Sequence, residues 1–219
     1  MASTPSAEYH LLQLIARAEL SPERIAAFRE RAGDVEWETV LELAAYHRLV
    51  SLLYVHIRDH ASDLVPEGVQ TILRNTAMSR TVQVLFLSSE MKRIAVRLQQ
   101  DSIPFLVLKG PSLSEAFGDM SRRPFVDNDL LVRRADFKRV GEALLDIGFN
   151  HRKRGALQTA GYLFVHGEYT FGRAIGTQIS TADIHTDLVP VGYPYQVSFE
   201  TLLSRSRQLE VAASGSTSR

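Results

Sequence analysis

A chain of 219 residues can hold one sizeable domain, or one domain with a smaller appendage. Its 45% hydrophobic and 23% charged residues are those of an ordinary globular protein. The 25 basic and 25 acidic residues balance, so no bulk field draws the chain to nucleic acid or to an anionic membrane. With no cysteine, disulfides, zinc–thiolate sites and thiol catalysis are excluded. Met1-Ala-Ser-Thr-Pro-Ser-Ala-Glu8 lacks the basic region and apolar core of a secretory signal, and no apolar run is long enough to span a bilayer. A cytoplasmic protein is the expectation.

Residues 1–8 read as a disordered lead, followed by a helical section over 9–100. Leu11, Leu12, Leu14, Ile15 and Ala18 make a first apolar stripe. Ser21-Pro22-Glu23 opens a second helix, with Ser at the N-cap and Pro at the first helical position. The three-to-four spacing continues through Trp37, Val40, Leu41 and Ala44, then through Val50, Leu53 and Ile57. A further helix opens near Pro66. Thr81–Leu98 is strongly periodic, with Val84, Leu85, Leu87, Met91, Ile94 and Leu98 on one side.

The texture then changes to a mixed core over 101–208, so the fold class is α+β: a helical section followed by a sheet flanked by helices. Ile103–Leu108 is a short apolar run ending at Lys109-Gly110, as suits a buried strand. Pro111–Phe117 reads as a short helix and Gly118-Asp119 as a turn. Phe125–Val132 is a second strand, and Ala135–Ile147 an amphipathic helix ended by Gly148. Tyr162–Phe171 and Ile179–Leu188 read as two more strands, with a turn over Gly172–Gly176. Residues 209–219 read as a flexible tail, either a natural terminus or the mark of a truncated or shifted frame.

Three segments carry chemistry. Asp127 and Asp129 lie two residues apart at the mouth of a strand, where alternation puts both carboxylates on one face. Like charges that close call for a cation or a proton, and Mg²⁺ suits carboxylate oxygens while leaving positions for phosphates. The same pair also suits a solvated turn or a helix cap. Lys109-Gly110-Pro111-Ser112, between strand and helix, joins a permissive backbone to a point charge and makes a candidate phosphate seat, or a mere turn. Asp183-Ile184-His185-Thr186-Asp187 places three polar side chains on one strand face. They suit a third metal-ligating carboxylate, or the solvated side of an edge strand, with His185 a ligand, a base or a structural residue.

Val107-Leu-Lys-Gly-Pro-Ser-Leu113, Arg123-Pro-Phe-Val-Asp-Asn-Asp-Leu-Leu-Val132, Gly148-Phe149 and Ala182-Asp-Ile-His185, taken in this order, resemble a bacterial family of uncharacterised nucleotidyltransferases within the DNA-polymerase-β-like superfamily. The resemblance spans roughly residues 35–205 and takes in His47-Arg48-Leu49. It implies a nucleotidyltransferase-like mixed sheet in which Asp127, Asp129 and Asp183 hold two Mg²⁺ ions. Gly110 would stand at the triphosphate, with Lys109 and Ser112 beside it. Lys109-Gly110 replaces the superfamily's usual Gly-Ser, and family members commonly carry a further helical section after the last strand.

The expected reaction moves a nucleoside monophosphate from an NTP, such as ATP, to a hydroxyl of an unidentified small-molecule or protein acceptor. Asp183 would accept the proton, and Arg122 or Arg123 would neutralise phosphate charge. The alternatives are a non-catalytic module binding nucleotide or protein, and a small-molecule kinase releasing nucleoside diphosphate. The neutral charge disfavours a nucleic-acid acceptor.

Overall fold

The computed structural model describes residues 6–116, 122–151, 168–189, 194–195 and 197–208. The Gly118-Asp119 turn, the first part of the Tyr162–Phe171 strand and the 209–219 tail lie outside them. The chain divides into two compact units, residues 1–83 with 114–124, and residues 84–113 with 125–219.

The first unit is helical. Helix α1 (Ala7–Ile15) begins inside the stretch read as a disordered lead, because the Ser6 hydroxyl accepts from the Tyr9 N–H and caps it. Helix α2 (Pro22–Ala32) starts as expected, with Ser21 accepting from the Arg24 N–H and Pro22 at the first position. Helices α3 (Trp37–Tyr46) and α4 (Val50–His60) complete the group. Leu11, Ile15, Phe28, Val40, Leu53 and Ile57 are fully or almost fully buried in its core, each contributing about 1.5–3 kcal/mol on leaving water.

One helix, α5 (Glu67–Gln100), covers both the Pro66 helix start and the Thr81–Leu98 periodicity. Val84, Leu87, Met91, Ile94 and Leu98 are buried as that periodicity predicts, whereas Leu85 is exposed. The second half of α5 belongs to the second unit. No described helix is long and apolar enough to cross a membrane.

The second unit holds a five-stranded mixed sheet of order β1-β2-β5-β4-β3, which makes the fold α+β. Strands β1 (Phe105–Val107) and β2 (Asn128–Val132) are antiparallel, and β2 runs parallel to β5 (Gln178–His185). Strand β4 (Glu168–Ile175) joins β5 in a hairpin, and β3 (Asn150–His151) pairs with β4. Between them come α6 (Pro111–Ala116), a 3₁₀ turn (Arg134–Asp136), α7 (Phe137–Asp146) and finally α8 (Phe199–Arg205). Alternation divides the sheet. Leu130, Val132, Ala182 and Ile184 turn one face into a core shared with Met91, Ile94, Val140 and Leu144. Asp129, Leu131, Asp183 and His185 lie on the other.

Three expectations need correction. The hairpin turn is Gly176-Thr177, not Gly172–Gly176: Gly172 sits in β4 opposite Thr181, while Gly176 supplies the positive φ (58°) that a two-residue loop requires. Strand β5 stops at His185, before Asp187. It is also the central strand rather than an edge, being hydrogen-bonded to β2 on one side and to β4 on the other. Gly148 ends α7 as predicted, at φ 86°, with the Gly148 and Phe149 N–H groups donating to the Leu145 and Leu144 carbonyls.

Candidate active site

Asp129 is the second residue of β2, and its partner in the parallel register is Asp183. Two carboxylates, distant in sequence, therefore stand side by side on the central strands and on the same face. Asp129 is 2% exposed, and its backbone is fixed on the other flank by the Leu108 N–H donating to its carbonyl at 3.0 Å. Asp127 lies one residue outside the strand, in a bend. Its placement rests on the loop rather than on alternation. Gly110 is part of that loop: at φ 66°, an added Cβ would stand 3.2 Å from the Phe125 ring and 3.4 Å from the Asp127 carbonyl oxygen.

The two oxygens of Asp129 differ. Oδ1 meets the Lys109 ammonium at 2.8 Å and His185 Nε2 at 3.2 Å. Oδ2 is buried and has no hydrogen-bond partner among the described residues, and Asp183 Oδ1 shares that condition. His185 thus stands on the same face as the two carboxylates and touches one of them.

Electrostatics follow from this packing. Burial raises Asp127, and repulsion from Asp129 and then Asp183 adds to it against the pull of Lys109. Asp183 is likewise raised by burial, with Glu168 and Asp129 adding repulsion, against a hydrogen bond from Thr170. Burial pushes Asp129 the same way, but the hydrogen bonds from His185 and Lys109 win and hold it below the usual range. Lys109 is raised by its hydrogen bond to Asp129, and the charges of Asp127 and Asp183 add to the effect. Among the described residues no three Asp, Glu or His side chains are already disposed to hold one metal ion.

Ser112, expected beside a phosphate, turns its hydroxyl back to the Lys109 carbonyl at 3.3 Å. Arg123 belongs to the first unit, as does Arg122, whose guanidinium donates to the Ala18 carbonyl near the end of α1. Asp187, past the end of β5, pairs with Arg134 at 2.6 Å instead of joining the carboxylates.

Two features escaped the sequence analysis. Asn128, between the two acidic residues, points to the opposite face and donates from Nδ2 to the Leu87 carbonyl of α5 at 3.1 Å. A polar residue flanked by carboxylates gives no sign of facing a helix. The second is a cleft of about 530 Å³ beyond the C-terminal ends of β2 and β5, walled by Arg133, Arg134, Asp187, Val189, Phe199 and Glu200. Arg133 there lies over the Phe199 ring and bonds Glu200 at 2.9 Å. The adjacent arginines after Leu-Leu-Val132 were the available signal.

Two carboxylates on neighbouring strands form a set of hard oxygen donors on one face of the sheet. Residues 33–217 match the family of uncharacterised nucleotidyltransferases, and the chain belongs to that family. No curated protein matches the chain.

Proposed function

We propose that the chain is a Mg²⁺-dependent nucleotidyltransferase of the DNA-polymerase-β-like superfamily, moving a nucleoside monophosphate from an NTP to the hydroxyl of a small-molecule or protein acceptor. One observation carries this reading: Asp129 and Asp183 are register partners, each with a buried oxygen that meets no donor among the described residues. Buried carboxylate oxygens are ordinarily satisfied, so an orphan on each of two register partners suits a hard cation. The donor set is all oxygen, as Mg²⁺ prefers. Asp127, Asp129 and Asp183 are the residues that would hold it. Divalent ions bound there would neutralise the triphosphate and acidify the acceptor hydroxyl.

The chain's own residues then do the following. Gly110 lets the loop after β1 pack closely on Phe125 and the Asp127 backbone, and Lys109 and Ser112 would border the phosphates there. His185 holds Oδ1 of Asp129, an oxygen that Lys109 shares in the ion-free protein, which leaves Oδ2 for a cation. Asp183, the register partner of Asp129, would ligate an ion on the acceptor side, and its carboxylate would accept the acceptor proton.

A second reading, a nucleotide- or protein-binding module without turnover, is favoured by the lack of a ready-made metal cage among the described residues. Incubation with Mg²⁺, an extract of candidate acceptors and each α-labelled NTP separates the readings. Label transfer with pyrophosphate release is expected, lost in Asp127→Asn and Asp129→Asn. Release of nucleoside diphosphate would make the protein a kinase. Calorimetric NTP binding without turnover would make it a binding module.

A further inference from the structure

Lys109 is a lysine with two neighbourhoods. Its side chain is 54% exposed, yet its ammonium reaches a carboxylate that is 2% exposed, at 2.8 Å. The charges of Asp129, Asp127 and Asp183 all act on it. It therefore supplies the positive charge that three crowded carboxylates require, from a flexible stem that water can receive at little cost. Asp129 has no such freedom, being fixed in β2 between two paired strands.

Resting on the metal-site reading above, we propose that Lys109 is a built-in counter-ion: its ammonium holds Asp129 in the ion-free protein and must swing out when a divalent cation binds, so that it lowers the affinity of the empty site for that cation. An ammonium and a divalent ion would otherwise be crowded against the same carboxylate, and like charges that close repel. His185 stays on Oδ1 and keeps the carboxylate oriented, as partners behind a metal ligand do. The displaced ammonium, still tethered beside Gly110, is then available to the nucleotide phosphates. Lys109 in this account is a positioning residue whose partner changes with the occupancy of the site.

The test titrates MgCl₂, and MnCl₂ as a second probe, into the nucleotide-free full chain by calorimetry. Wild type, Lys109→Met and Lys109→Arg are compared, with Asp129→Asn as the site control and circular dichroism as the check on folding. Lys109→Met keeps the stem without the charge, and is expected to bind the ion about tenfold or more tightly than wild type. Lys109→Arg keeps a charge and is expected to bind no more tightly than wild type. A Lys109→Met protein that melts early in chelator and recovers its wild-type Tm in Mg²⁺ supports the proposal equally. Equal affinities in wild type and Lys109→Met, with binding lost in Asp129→Asn, overturn the counter-ion role and leave the metal site standing. Weaker binding in Lys109→Met also overturns it, since Lys109 would then be organising the ligands. Absence of binding in all four proteins removes the metal reading, and the proposal with it.

Discussion

The two faces of the sheet treat buried charge in opposite ways. On the α5 side, Arg173 from β4 meets Glu90 of α5, with both carboxylate oxygens bonded by Nη1 at 2.8 and 2.6 Å. On the other side, Asp129 crowds both of its donors onto one oxygen and leaves the second bare among the described residues. Both carboxylates are almost wholly buried. The saturated pair is what a structural tie between helix and strand needs, because a buried charge is tolerable only when its oxygens are satisfied. The unsaturated one has its charge balanced through Oδ1 alone, by Lys109 and His185, and keeps a second oxygen with no hydrogen-bond partner among the described residues.

Four measurements would break or sharpen that contrast. The largest effect is expected at the open side: Asp129→Asn should lower nucleotidyl transfer about 10³-fold or more while shifting Tm little, as read by label transfer and thermal melting. A large loss of Tm would instead place Asp129 with the structural pairs. At the closed side, Arg173→Met leaves Glu90 buried and alone, and should cost about 3–5 kcal/mol in a denaturant titration. A cost below about 1 kcal/mol would show that water reaches Glu90.

Asn128→Leu should change stability by no more than about 1 kcal/mol, and in the favourable direction. The substitution gives up one hydrogen bond to the Leu87 carbonyl, but it also removes Asn128 Oδ1, which is buried without a partner. The smallest effect is in pH. Asp127 and Asp183 bind protons more readily folded than unfolded, so the ion-free protein should lose stability as pH rises from their unfolded pKa values through the raised folded ones. Asp129 runs the other way, its contribution present above its unfolded pKa and lost as pH falls through the depressed folded value. The Tm of the ion-free protein across the acidic range, repeated in Asp127→Asn, should show the downward component weaken in the variant.

Much of this arrangement was legible in the sequence, and the part that was not has physical reasons. The helical section, the α+β texture, the Ser21 and Gly148 caps and the apolar run of β2 are local properties that spacing and residue type reveal. Alternation correctly joined Asp183 to His185, and the order of motifs pointed to the nucleotidyltransferase family. Sequence spacing could not give the neighbour of β5, because parallel pairing of β2 with β5 is a long-range event. It therefore left open, beside a third carboxylate of the site, a solvated edge for Asp183, which lies on the central strand. Nor could it foresee that Lys109 would meet Asp129 rather than solvent, or that Asn128 would reach α5, since side-chain partners are settled by tertiary packing.

The parallel register of β2 and β5 has a consequence for how the protein comes to be functional. Asp129 and Asp183 become neighbours only when the chain between them, which includes β4, has closed a long loop. Local helices and the β4–β5 hairpin form on contacts close in sequence, whereas this juxtaposition depends on contacts of high order and so is expected among the later events of folding. A nascent or partly folded chain would carry its helices before it carried its carboxylate pair. Competence to bind a cation would then mark the completion of the sheet, and a metal titration during refolding would time it.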